Sequence, residues 1–106
     1  MGGAQTETTL LILLALYTIN HGYGVMQFVK EKTNGRVILG AGTLYGAINN
    51  LKAKNWIKRI QTTNEGKKLY IITENGKKVV NSELERLKEL LLIGYGIIGD
   101  DNYEKV

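Results

Sequence analysis

Thr43, Tyr45, Asn49 and Asn50 fall on one side of a stretch, LGAGTLYGAINNLKAKNWI at 39–57, whose other side carries Leu44, Ile48 and Leu51. Apolar residues at these four- and three-residue intervals define one face of a helix. The opposite face lacks the Glu and Lys that usually solvate an outer surface. Hydroxyls at such positions donate to phosphate oxygens, and a carboxamide matches the donor–acceptor pair of an adenine edge. Gly42 and Gly46 share this face. An interior glycine weakens a helix by about 1 kcal/mol relative to Ala, so two of them imply close approach to a neighbour. A second protein helix would ask the same of them, and the surrounding charge favours nucleic acid.

Reactive chemistry has no comparable constellation. Cysteine is absent, which removes disulfides, thiolate nucleophiles and cysteine metal sites together and fits a reducing, cytoplasmic setting. His21 is the single histidine and has no carboxylate cluster beside it, so it is expected to pack at the start of a helix rather than bind metal. No Ser, His and acid arrangement stands out, and neither an enzyme nor a cofactor is expected. Gly94 to Gly99 spells GxGxxG, but it follows a helical run instead of joining a strand to a helix. Those glycines are expected to end or fray the last helix.

Net charge is +4, unevenly spread. Residues 30–78 hold eleven Lys or Arg against Glu31, Glu65 and Glu74, whereas 79–106 hold three basic residues against six acids. A basic middle suits a polyanion. The most apolar run, LLILLALYTI at 10–19, is about half of the roughly 20 residues needed to cross a bilayer, so it reads as a buried helix.

Periodicity and punctuation give the helices and strands around the binding face. Thr6 and Glu7 start a first helix running to about Asn20, buried on more than one side. NHGYG breaks it at Gly22, and Val25, Phe28 and Val29 mark a second helix to about Thr33, stopped by Asn34-Gly35. Arg36 to Leu39 is a short β-prone run, after which the third helix begins. Trp56 to Thr62 and Lys67 to Thr73 read as two strands around Thr63-Asn64-Glu65-Gly66, a loop of hairpin length. Thr73 is placed to cap a fourth helix, where Val80, Leu84, Leu87 and Leu91 recur at 4, 3 and 4 as a seam for another helix.

This is a mainly α chain with a small β-hairpin, in the order of a winged helix-turn-helix domain plus one C-terminal dimerisation helix. In that arrangement the third helix meets the major groove and the hairpin, or wing, reaches the neighbouring backbone. The expected DNA contacts are Thr43, Tyr45, Gly46, Asn49, Asn50 and Lys52 on the third helix, and Lys67 and Lys68 on the wing. The winged domain is expected over 1–73, the dimerisation helix over 74–99 and an acidic, mobile tail over 100–106.

HGYGVMQ at 21–27, GTLYGAINNL at 42–51, NWIKR at 55–59 and KKLYIITENGKK at 67–78 together resemble the PadR family of transcriptional regulators. The resemblance implies a dimeric winged-helix repressor on a pseudo-palindromic operator, its fourth helix crossing the partner subunit. The short form implies an effector between the subunits beside the fourth helix, where this chain offers Leu91, Leu92 and Tyr95 but no Trp. The chain departs from the family's pattern at Gly24, a position often acidic, and at Gly40-Ala41, where a Ser-Pro pair commonly caps the third helix. Expected partners are double-stranded DNA, a second copy and a small apolar or aromatic effector, with no membrane. Two rivals are a winged-helix protein-interaction module that does not bind DNA and a small-molecule sensor whose dimer cavity is its whole function.

Overall fold

A computed structural model of the chain describes residues 5–60 and 66–99. The elements are α1 (Glu7–Ala15), β1 (Asn20–His21), α2 (Gly22–Lys32), α3 (Ala41–Ala53), β2 (Ile57–Ile60), β3 (Leu69–Ile72) and α4 (Glu74–Ile98). Ile12, Leu13 and Leu16 from the first helix region, Val25 and Val29 from α2, and Leu44 and Ile48 from α3 are fully buried together with Ile57 and Val80. One apolar core therefore joins the helices to the sheet.

Local chemistry starts and stops the helices. Thr6 caps α1, its hydroxyl accepting from the Thr9 amide at 3.1 Å. Both α2 and α3 end on an asparagine in the left-handed region, Asn34 at φ 52° and Asn55 at φ 63°. After α2 the Asn34 and Gly35 amides donate to the Glu31 and Lys30 carbonyls; after α3 the Asn55 and Trp56 amides donate to Lys52 and Leu51. This is the paired closure of a Schellman motif. In a chain without proline, Asn and Gly make these turns.

Three expectations are corrected. The first helix ends at Ala15, not near Asn20, because the Leu16 carbonyl is taken by the Ile72 amide at 2.8 Å. Asn20 and His21 then pair with Tyr70 and Leu69, so the hairpin becomes a three-stranded antiparallel sheet of order β1-β3-β2. Arg36 to Leu39 forms no strand: the Thr33 hydroxyl holds the Val37 amide at 3.0 Å while Val37 and Leu39 lean on the core. Arg36 itself forms a two-pronged ion pair with Glu7 at the surface. The sheet register sets Ile57 against Ile72 and Ile60 against Leu69; residues 61–65, the end of the expected first strand and all of the expected loop but Gly66, lie outside the described residues.

Thr73 does two jobs at the start of α4. Its hydroxyl accepts from the Gly76 amide at 3.1 Å and donates to the Asn55 carbonyl at 2.7 Å, tying the helix start to the turn after α3. The first turns of α4 then bury Gly76, Val79, Val80 and Glu83. Beyond them the helix runs uninterrupted through Gly94 and Gly96, and Gly99 at φ 130° ends it. The acidic tail expected over 100–106 lies outside the described residues.

Glu83 is 3% exposed, an unusual site for a carboxylate. Arg86 donates to it at 2.8 Å and the Gln5 backbone amide at 3.1 Å. The Arg86 hydrogen bond holds the Glu83 carboxyl below the usual carboxylate range, outweighing burial, which pushes the other way; the Gln5 amide adds to the lowering. A depressed carboxyl stabilises the fold above its unfolded value, and that contribution is lost as pH falls through the folded value. Glu83→Gln is therefore expected to cost stability at pH 7 and progressively less as the solution is acidified below the carboxylate range. Denaturant midpoints of both proteins across that pH series check this; a constant difference would reject it.

Candidate nucleic-acid interface

The core grips α3 by Leu44, Ile48 and Leu51, which are 0%, 0% and 3% exposed. That places Gly42, Thr43, Tyr45, Gly46, Asn49 and Asn50 in solvent on the opposite face. A Cβ added at Gly42 or Gly46 would meet no heavy atom within 4 Å. Neither glycine is therefore required by packing inside this chain. Gly40 caps α3 without any side-chain hydrogen bond, so the helix start presents bare backbone.

Basic residues frame this face. At its C-terminal end the Lys52 ammonium lies 5.9 Å from the centre of the Tyr70 ring and the Lys54 ammonium 4.6 Å from that of Trp56. Cations over aromatic faces are attracted by the ring quadrupole, which holds these two near the end of α3. On the sheet side Lys58, Arg59, Lys67 and Lys68 are all exposed. Burial pushes the Tyr70 hydroxyl up, nearby Tyr45 adds to this and Arg59 opposes it, so Tyr70 stays a neutral core residue behind the interface.

The expected DNA-facing residues divide into two groups. Tyr45, Lys67 and Lys68 line one cleft of about 510 Å³. Thr43, Gly46, Asn49, Asn50 and Lys52 are exposed along the rest of α3. The same cleft is lined by His21, Gly22 and Tyr23, which sequence reasoning did not place at the interface. The only signal pointing to them was their place in the HGYGVMQ motif. Their proximity to Tyr45 spans more than twenty residues of chain and becomes visible only once α2 and α3 are packed.

The seam expected on α4 is also divided. Val80 is 1% exposed and belongs to its own chain's core, so it has no surface to offer a second copy. Leu84, Leu87 and Leu91 are 46%, 39% and 38% exposed. Leu92 is exposed and Tyr95 half-buried, and neither lines the apolar groove of about 310 Å³ between α1 and α4, which is formed by Leu10, Leu11, Leu14 and Leu87 with Gln5, Glu7, Glu83 and Arg86.

A family model described as the transcriptional regulator PadR-like family matches residues 10–82. The chain belongs to this PadR-like family. The PadR-like match takes in all three strands, most of α1, and α4 as far as Ser82, past the core residues Val79 and Val80. Solved structures agree on the fold. A transcriptional regulator from Clostridium thermocellum has a TM-score of 0.72 at 20% identity, covering 87% of this chain and 92% of that one. A PadR family transcription regulator from Clostridium difficile R20291 has a TM-score of 0.72 at 21% identity, covering 89% and 100%. A PadR family regulator from Eggerthella lenta DSM 2243 has a TM-score of 0.68 at 22% identity, covering 85% and 79%. No curated protein matches it. The four helices and small antiparallel sheet are thus the winged-helix PadR-like fold, and DNA-binding regulation of transcription is the activity that goes with it. No helix among the described residues is long and apolar enough to cross a membrane.

Proposed function

We propose that this PadR-like chain is a homodimeric repressor that occupies a pseudo-palindromic operator and is released by a small apolar or aromatic effector. The observation that carries the DNA step is the uncharged, solvent-exposed face of α3 between two sets of lysines. Thr43, Tyr45, Gly46, Asn49 and Asn50 enter the major groove, Lys52 extends the backbone contacts, and Lys67 and Lys68 bring the wing to the flanking phosphates.

The distal half of α4 supports the homodimer. Leu84, Leu87, Leu90, Leu91, Ile93, Ile97 and Ile98 are all at least 38% exposed, a run of apolar surface that a second copy would cover. Two winged domains joined in this way set their third helices about one helical turn, roughly 34–36 Å, apart on DNA. Leu91, Leu92 and Tyr95 then line the space between the copies, where an effector changes the angle between the wings.

Selection of sites from a random duplex library, followed by affinity for the winner and a scrambled duplex across a salt series, tests this function. A palindromic winner bound roughly a thousandfold or more tighter than the scrambled duplex is expected. Equal, weak binding of both duplexes would reject the repressor and turn attention to a protein partner on α4.

Gly46→Ala separates the two uses of the α3 glycines. The added methyl meets nothing within 4 Å in the free chain, so the helix should gain up to about 1 kcal/mol of stability. On DNA the same methyl stands between the helix backbone and the groove, and a crowding cost of about 1–3 kcal/mol would weaken binding by roughly five- to a hundredfold. A raised melting temperature with weakened duplex binding is expected. Unchanged affinity in the stabilised variant would remove Gly46 from the interface.

A further inference from the structure

The cleft between α2, α3 and the base of the wing combines groups that were expected to act separately. Its lining is His21, Gly22 and Tyr23 from the start of α2, Tyr45 from α3, and Gly66, Lys67 and Lys68 leading into β3. Among the described residues no carboxylate lines it. Two ammonium groups, two phenols and an imidazole make it rich in donors and positive in charge, which is the complement of a phosphate oxygen.

Two contacts fix its shape. A Cβ on Gly22 would lie 2.2 Å from the Tyr45 hydroxyl oxygen and 2.6 Å from the ring carbon that bears it, so the Tyr45 ring lies directly on the first turn of α2. Only a glycine leaves room for that. His21 accepts from the Gly24 amide through Nδ1 at 2.8 Å, so the neutral ring carries its proton on Nε2, as a donor. Two of the donors, Tyr45 and His21, are thus held at a helix junction before any ligand arrives, which lowers the ordering cost of binding.

We infer that this cleft seats a single phosphodiester of the DNA backbone, gripped jointly by the Tyr45 hydroxyl and the Lys67 and Lys68 ammonium groups, with His21 and Tyr23 closing its far side. The inference rests on the DNA-binding reading and adds a geometric consequence. Recognition helix and wing hold one shared phosphate, so the register of α3 in the groove is set by the backbone rather than by base contacts alone. Gly22 and Tyr45 set the spacing on which that register depends.

The test is a methylphosphonate scan, in which each phosphate of the selected duplex is neutralised in turn and binding is measured for wild type, Tyr45→Phe and Lys68→Gln. Tyr45→Phe keeps the ring on Gly22 and removes only the hydroxyl, so the fold is preserved. One phosphate per half-site is expected to cost wild type about ten- to a hundredfold when neutralised, the usual worth of a hydrogen bond to a charged group. Both variants should bind the unmodified duplex less tightly, yet lose less than wild type when that same phosphate is neutralised, because one of the groups that grip it is already gone. Coupling of the two variants to different phosphates, or to none, overturns the shared seat while leaving DNA binding intact. Failure of any duplex to be selected is a separate result that overturns the function beneath it. Inorganic phosphate added to the free protein, followed by amide chemical shifts at Gly22 and Tyr23, supplies the last arm. Saturation there without coupling to any duplex phosphate would make the cleft a site for a free anion and reject the phosphodiester.

Discussion

The Lys67→Glu, Lys68→Glu double variant is expected to lose all measurable preference for the selected duplex while remaining folded. Both side chains are exposed, neither belongs to the core, and neither forms an ion pair among the described residues, so their reversal leaves folding untouched. Binding is another matter. Each phosphate that a lysine neutralises releases counterions and contributes a slope of roughly 0.9 in log affinity against log salt. Reversal removes two cations from every wing and replaces them with repulsion. Affinity at physiological salt should fall to or below the nonspecific range of roughly 10⁻⁴–10⁻⁶ M, with a salt slope flattened by about 0.9 for each phosphate no longer neutralised. A filter-binding or fluorescence titration across salt reads both quantities, and size-exclusion chromatography shows whether the oligomer is intact. Tight binding retained by the double variant would take the wing out of the interface and leave α3 alone to account for it.

The largest expected effect on stability comes from a single methyl group. A Cβ at Gly76 would sit 2.2 Å from the Trp56 carbonyl oxygen and 2.6 Å from a side-chain carbon of Ile72. The first of these is backbone, already accepting from the Thr73 amide at 2.9 Å, so it cannot swing aside as a flexible side chain would. Crowding of a packed core costs about 1–3 kcal/mol and occasionally more, against a helix-propensity gain of about 1 kcal/mol for Ala over Gly. Because the clash is with backbone on an element start that Thr73 also ties down, the upper end applies. Gly76→Ala is expected to lose about 2 kcal/mol net, which for a domain near this size lowers the melting temperature by roughly 10 °C. Thermal melts of Gly76→Ala beside Gly46→Ala make the comparison within one protein. The same substitution should destabilise where the backbone is crowded and stabilise where it is open. A melting temperature for Gly76→Ala at or above wild type would mean that α4 can slide off Trp56 without cost.

Much of the frame was legible before folding, because the signals that carry it act over a few residues. Thr6 and Thr73 cap helices by hydrogen bonds to amides three residues on, and both do so here. Leu44, Ile48 and Leu51 define the buried side of α3 by spacing alone, which leaves its polar and glycine residues outside. Tyr70 and Ile72 alternate against Leu69 and Ile71, and the buried pair is the one on the core side of β3. The order of the four helices and the hairpin, the two faces of α3 and the placement of positive charge were therefore properties of the sequence itself.

What the tertiary structure alone decided involves pairs far apart in the chain. α1 stops at Ala15 because the Ile72 amide claims the Leu16 carbonyl, a bond that exists only when β3 lies beside that turn. Asn20 and His21 become a strand because β3 has a free edge there; two residues carry no alternation of their own. Val80 continues the heptad-like spacing of α4 yet falls on the near side of the point where the helix leaves the domain, so its partner is its own core. Gly22 against Tyr45 and Gly76 against Trp56 are steric requirements between segments brought together by packing. Periodicity and capping specify which face of each element is apolar and where it starts. Which atoms of distant segments come within a few ångströms depends on how those faces dock, and that is where the shared cleft of α2, α3 and the wing arises.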